Sequence, residues 1–307
     1  MTREKGTALI LGGSGRFGRA TAEAFAKAGW HLRRFDRARD SLPEAAMGAD
    51  IIVNGWNPPY HRWAAELPGL TAQVIEAARA SGARVIIPGN VYVFGAGSGP
   101  VLSESAPHAA ANPLGRLRTR MEAAFRAAGV PTLVVRAGDF LDTRASGNWF
   151  DMVLTKRLDR GRLTYPGPLD VPHAWAYLPD MARAAVELAE RRETLRTFED
   201  VPFPGYTLTG RELAAALARA SGRPVRARRM AWWPLRLARP VWPLASGLLE
   251  MRYLWAMPHR LDGDRLARLL PEFRNTPLDV ALASAIGQAD IHPDEPVARG
   301  ADAALAQ

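Results

Sequence analysis

Through its first 136 residues the chain alternates short apolar runs with stretches of helical spacing. Thr7 to Leu11 (TALIL) is a compact apolar run, and Ala20 to Ala28 repeats apolar positions at helical intervals. Trp30 to Asp36 (WHLRRFD) reads as a second strand ending in an acid, Ala49 to Asn54 (ADIIVN) as a third, and Arg84 to Pro88 (RVIIP) as a fourth. Leu70 to Ser81 has helical spacing, as do residues 116–128, which Gly129 stops. Val130 to Arg136 (VPTLVVR) reads as a fifth strand, with its proline near the start, where a missing N–H is tolerated. Nearly continuous apolar strands separated by helices predict a parallel sheet covered on both faces.

The punctuation changes after about residue 140. Gly, Pro and Trp become frequent, and helical patterns come in separate pieces at 150–160, 180–192, 210–221 and 262–270. The expected organisation is a sheet domain over 1–140, to which part of 170–200 returns, and a smaller, mainly helical substrate lobe over 141–290. Residues 291–307 lack apolar periodicity and are expected to be a flexible tail.

The first apolar run leads into the segment that says most about chemistry. Gly12, Gly15 and Gly18 are spaced by three, and from Gly13 the same stretch also satisfies G-x-G-x-x-G. Glycines there permit a tight strand-to-helix turn, close approach of backbone N–H groups to a pyrophosphate, and close packing of helix on strand. The phosphates of a dinucleotide would lie on the N-terminal end of that helix, with Ser14, Arg16 and Phe17 completing the loop. With a strand before it and a helix after it, the motif makes the α/β pattern a Rossmann-type doubly wound sheet. NAD or NADP is then the expected cofactor.

Composition narrows the chemistry. The chain has 307 residues, enough to bury a large core, and no cysteine, which excludes thiol nucleophiles, Cys-ligated zinc and iron–sulfur clusters. Absence of thiols fits a reducing, cytoplasmic setting. The histidines show no metal spacing and no nucleophile-elbow or P-loop pattern occurs, so no metal is expected. The apolar run before Gly12 is too short for a signal-peptide core, and no stretch is long enough for an integral membrane segment. Net charge is +9, but the arginines are spread along the chain without a nucleic-acid motif. A small anionic molecule is the expected partner, and nucleic acid is not.

Four ordered motifs resemble the extended branch of the short-chain dehydrogenase/reductase superfamily, the nucleotide-sugar epimerase/dehydratase type, over roughly residues 6–290. Leu11 to Gly18 stands against T-G-x-x-G-x-x-G, and Asp36 follows at the end of the second strand. Pro88 to Gly95 (PGNVYVFG) is similar to S-S-x-x-V-Y-G, and His173 to Ala182 (HAWAYLPDMA) to h-V-x-D-V-A, where Asp180 is expected to cap a helix. The resemblance implies that Asp36 takes the adenosine ribose hydroxyls, which favours NAD, although Arg33, Arg34, Arg37 and Arg39 would suit a 2′-phosphate. It also implies cofactor contacts at Arg37, Asn54, Gly55 and Trp56.

The resemblance fails at the usual catalytic positions. The superfamily's Ser or Thr falls on Asn90, and its Tyr-x-x-x-Lys pair falls on Leu114 and Arg118. Leucine transfers no proton, and arginine can hold a ribose but not exchange protons. Asparagine can hydrogen-bond only. Tyr92, on the same side of an extended segment as Asn90, and His108, in the loop before Leu114, are candidate replacements. Each also has a plain reading, Tyr92 as a packed aromatic and His108 as a solvated loop residue. Asn57, Tyr60 and His61, after the third strand, are candidates for substrate contact or for loop packing.

Residues 230–258 interleave Trp232, Trp233, Trp242 and Trp255 with Arg236, Arg239 and Arg252. They fit a lobe core or homodimer seam, a wall of a substrate pocket, or a membrane-surface helix, which Pro234, Pro240 and Pro243 would break. Two functions stay open. One is an atypical NAD(P)-dependent oxidoreductase or epimerase/dehydratase-like enzyme, acting at a carbonyl or alcohol carbon of a nucleotide sugar or other small metabolite by non-standard proton transfer. The other is a catalytically inactive dinucleotide-binding sensor, regulatory or assembly protein.

Overall fold

The apolar runs become the strands of one parallel sheet in the computed structural model, which describes residues 5–287. The chain order begins β1 (Thr7–Leu11), α1 (Arg16–Lys27), β2 (His31–Arg34), α2 (Leu42–Ala46), β3 (Ile51–Asn54), α3 (Trp63–Ser81) and β4 (Arg84–Asn90). It continues with β5 (Val101–Leu102), α4 (Pro113–Ala128), β6 (Thr132–Ala137), β7 (Asp139–Leu141), β8 (Arg162–Tyr165), β9 (His173–Tyr177) and α5 (Leu178–Glu190). The remainder is β10 (Phe198–Pro202), β11 (Tyr206–Leu208), α6 (Gly210–Ser221), β12 (Arg226–Arg229), α7 (Trp233–Ala238), α8 (Pro243–Glu250), β13 (Arg260–Leu261), α9 (Asp264–Leu269) and α10 (Leu278–Gly287).

Six strands pair in parallel in the order β10-β6-β4-β3-β1-β2. Successive side chains point to opposite faces, so Leu9, Leu11, Ile52, Val85 and Val134 enter one core, while Ala8, Ile10, Val53, Ile86 and Val135 enter the other. Burial on both faces is why these strands read as continuous apolar runs. β2, with the sequence HLRR, lies at the sheet edge, where charged side chains discourage pairing with another chain. β10 returns to the sheet beside β6 after β7, β8 and β9, and the smaller sheets are ordered β11-β9-β7, β12-β8 and β13-β5.

Several local expectations change. α3 begins at Trp63 rather than Leu70, because Pro68 and Gly69 read as helix breakers. Pro68 sits near the helix start, where it removes a single helical hydrogen bond, and Trp63 and Leu67 are buried on the same face. The helix expected over 150–160 is a π-turn at Phe150–Leu154 and a separate 3₁₀ turn at Leu158–Arg160. Asp180 does not cap α5, which begins two residues earlier. Its carboxylate instead accepts from the Thr276 backbone N–H (2.6 Å) and hydroxyl (2.9 Å), tying down the segment before α10. The tail expected over 291–307 lies outside the described residues.

Within the Trp-rich segment, Trp232 and Trp255 are core residues, packed with Trp149, Tyr165 and Trp175, whereas Trp233 is 64% exposed. Among the described residues no helix is long and apolar enough to cross a membrane.

Candidate active site

The sheet order places β2 on one side of β1 and β3 on the other, so the loops after β1 and β3 meet at a topological switch point. Open parallel sheets bind ligands at such points, beyond the carboxyl ends of the strands. Glycine makes the meeting possible. Gly12 has φ +69°, and a Cβ on it would lie 2.7 Å from the Gly55 carbonyl oxygen. A Cβ on Gly18 would lie 2.2 Å from the Gly12 carbonyl oxygen. The Gly15 N–H donates to that same carbonyl (2.9 Å), and Gly15 takes the N-cap position of α1, leaving first-turn N–H groups without helical partners.

The side chain of Arg16 leaves this loop for the interior. It is 6% exposed, and among the described residues it makes no ion pair. Burial lowers its pKa, against the more distant charges of Asp151 and Asp142. Asp36 is exposed and organises its own turn, accepting from the Ala38 N–H (3.0 Å) and facing Arg39. The Arg37 guanidinium lies 4.5 Å over the Trp56 ring, whose edge meets Phe35. The structure therefore brings together Arg37 and Trp56, two of the expected cofactor residues from different loops.

A cavity opens beyond the carboxyl ends of β3, β4 and β6. Asn54, Trp56, Asn57, Asn90, Tyr92 and Arg118, all singled out from the sequence, line it. Arg118 is buried and donates to the Pro88 carbonyl (2.5 Å), and its guanidinium sits 5.6 Å from the Trp63 ring. Its Nε has no partner among the described residues, and burial lowers its pKa.

The proton-transfer candidates fare differently. The side-chain oxygen of Asn90 accepts the Tyr92 N–H (3.0 Å) and caps the turn at Val91–Val93. The Tyr92 hydroxyl lies 2.6 Å from that of Tyr60. Burial, aided by the charge of Asp139, pushes both phenols well above their ordinary range, so both stay protonated donors. Tyr60 is itself almost fully buried beneath Gly247, and His61 is exposed. Leu114 is buried, and its N–H donates to Glu250 (2.6 Å).

His108 is not among the cavity residues. It lies 3.8 Å from Glu122 and 4.0 Å from Asp200, edge-on to Phe94, and its pKa is lowered by burial and by Arg136. His108, Glu122 and Asp200 bring ligand atoms within 4.8 Å of one another, but both carboxylates already accept from Arg136. That cluster is a buried ion-pair network behind the site.

Sequence reasoning missed Asp139, which lines the cavity and whose Oδ2 lies 2.6 Å from Nε2 of His173. One cue was available, since an acid two residues past a strand sits at the carboxyl edge of a parallel sheet. The partner was not visible, because His173 is 34 residues away on another strand.

No family model and no curated protein matches the chain. Solved structures do. MoeE5 in complex with UDP-glucose and NAD superposes with a TM-score of 0.72 at 15% identity, over 93% of this chain and 99% of that one. A UDP-glucuronic acid 4-epimerase from Bacillus cereus with NAD gives 0.70 at 15%, covering 92% and 96%. A nucleoside-diphosphate-sugar epimerase from Staphylococcus aureus gives 0.66 at 18%, covering 91% and 99%. Two of these three structures hold NAD, and two of the three are named as sugar epimerases. At these identities the likeness establishes a shared Rossmann-type fold.

Proposed function

We propose that this chain is an NAD(P)-dependent oxidoreductase or epimerase-like enzyme acting at a carbonyl or alcohol carbon of a nucleotide sugar, without the Tyr-x-x-x-Lys pair. One observation carries the reading. A glycine cradle at the switch point leads to a cavity lined by the buried Arg118, whose Nε has no partner among the described residues, and the buried Arg16 of the cradle makes no ion pair among them. Burying a cation without a full set of partners is costly, and a polyanionic ligand would complete them. MoeE5 with NAD and UDP-sugars, and the Bacillus cereus epimerase with NAD, support the choice of ligand.

The residues present fit a dinucleotide. Gly12–Gly18 and the first turn of α1 would hold its pyrophosphate, and Arg118 the ribose nearer the reacting end. Asp36 keeps carboxylate lone pairs for ribose hydroxyls, while Arg37 is committed to the Trp56 face, which favours NAD over NADP. When bound, the nicotinamide supplies hydride transfer at the substrate carbon. Tyr92 and Asn90 would orient the substrate oxygen, and Asn57 and Tyr60 belong to the same wall. Residues 1–140, with part of 170–200, form the dinucleotide half, and 141–290 the substrate half. The cytoplasm suits a cysteine-free chain. The exposed Trp233, Leu237 and Val241 are the candidate homodimer seam, which sedimentation velocity would test.

The test is a titration with NADH and NADPH followed by nicotinamide fluorescence, then product analysis with UDP-glucose and UDP-glucuronic acid. Binding with turnover supports the enzyme. Tight binding without turnover across the panel would favour the sensor reading, for which the buried Leu114 speaks. If neither dinucleotide binds, both readings fail.

A further inference from the structure

The acid at the cavity wall is held by a device that the packing of the core does not require. β6 ends at Ala137, and Gly138 lets the chain step into the small sheet, since a Cβ there would lie 2.1 Å from the Ala174 carbonyl oxygen. Asp139 therefore stands between two sheets, two residues past Ala137, which pairs with Asn90, and its side chain is 21% exposed on the cavity wall. Its Oδ2 is fixed by His173 Nε2 at 2.6 Å. Asp139 lines the cavity, and Oδ1 is the carboxylate oxygen not engaged by His173.

His173 is 1% exposed and its ring is clamped. Trp255 stacks on it at 4.2 Å and 1°, and His259 meets it edge-on at 4.6 Å. Its Nδ1 is buried without a partner. With Nε2–H donating to the carboxylate, Nδ1 presents only a lone pair to its apolar surroundings, which costs less than an unsatisfied N–H. His259 donates from Nδ1 to the Met257 carbonyl and stays neutral, its pKa pushed down to about 3 by burial. The other titratable groups that feel the charge of Asp139 are Tyr60, Tyr92 and Tyr165, all held protonated, and the cation Arg118 lines the same cavity.

We infer that Asp139, oriented by His173, is the proton acceptor of the reaction. The inference rests on the enzyme reading above. As the carbinol C–H leaves as hydride to an oxidised nicotinamide dinucleotide, the O–H proton passes to Oδ1 of Asp139. The alcohol becomes a carbonyl, the dinucleotide is reduced, and the carboxylate becomes a carboxylic acid. The same proton returns when the carbonyl is reduced. Asp139 is the catalytic residue and His173 a positioning residue, which fixes one carboxylate oxygen so that the other faces the substrate.

Three variants and two readouts test this. Asp139→Asn should lower kcat about 10³-fold with UDP-glucose or UDP-glucuronic acid, while the Kd for NADH stays within about threefold and the circular dichroism is unchanged. His173→Gln, whose amide N–H can reach the carboxylate, should keep most of kcat. His173→Leu should lose at least tenfold and shift the acid limb of the kcat–pH profile. Without any ligand, the ¹⁵N resonance of His173 Nε2 should move in Asp139→Asn. Turnover of Asp139→Asn within threefold of wild type, or an unmoved His173 resonance, would overturn the assignment while leaving the enzyme reading intact. A wild-type protein that binds no dinucleotide, or binds it and turns nothing over, overturns both the enzyme reading and the base role; a moved resonance would then show a merely structural pair.

Discussion

Replacing Arg136 with methionine should unmask the most highly charged part of the core. The Arg136 side chain is fully buried, and all five of its N–H groups are used. Two reach Asp200 (3.2 and 2.6 Å), two reach Glu122 (3.2 and 2.7 Å), and one reaches the Asn90 carbonyl (2.7 Å). Methionine preserves most of the volume but leaves Glu122 and Asp200, 1% and 7% exposed, without their cation. Breaking a buried pair this way costs about 3–5 kcal/mol, which for a chain of this size lowers Tm by roughly 5–8 °C. The pH dependence has a definite sign. In the native protein burial raises both carboxyl pKa values, but Arg136 outweighs it at Glu122, which lies low, and not at Asp200, which lies high. Without Arg136 both lie high, so stability is kept at acid pH and lost as pH rises through their folded values. Urea denaturation at pH 4.5 and 7.5 should show a deficit that is largest at pH 7.5. Adding Glu122→Gln and Asp200→Asn should recover at least half of it. A deficit under about 1 kcal/mol at pH 7.5, or one equal at both pH values, would refute the account.

Three further outcomes can be checked with simple measurements. Gly18→Ala puts a Cβ 2.2 Å from the Gly12 carbonyl oxygen, so NADH affinity should fall at least 100-fold, and unchanged affinity would remove the cradle from the site. Asp151 is pushed up to about 6 by burial, against backbone N–H donors at Gly147 and Ser146. A raised folded pKa costs stability as pH climbs from about 4 to 6, so Asp151→Asn should raise Tm at pH 7.5 by the equivalent of about 1–3 kcal/mol and leave it unchanged at pH 4. For His259, held down at about 3 by burial and by His173, the sign reverses. Its contribution is present above about pH 6.5 and lost as pH falls, by about 5 kcal/mol in total, so His259→Gln should flatten the acid limb of a stability–pH curve.

Particular residues show where the sequence sufficed. Apolar runs such as Thr7–Leu11 and Ile51–Asn54 carry enough local preference to declare buried parallel strands, and three glycines spaced by three declare the turn between β1 and α1. These are short-range facts, set by backbone sterics and side-chain alternation, so they can be read without knowing what lies opposite. The strand end at Asn54 was legible for the same reason, whereas β2 stops at Arg34, short of Asp36, and β4 runs on past Pro88 to Asn90. What the tertiary structure alone decided is which distant polar groups meet. His108 was a candidate because an unperturbed histidine titrates near neutrality, and the fold packs it against Glu122 and Asp200. Asp139 carried no motif, and it became the cavity's carboxylate only because β9 brings His173 within 2.6 Å of it. Pairing across 34 to 64 residues depends on sheet order and helix packing, and neither leaves a local mark in the chain.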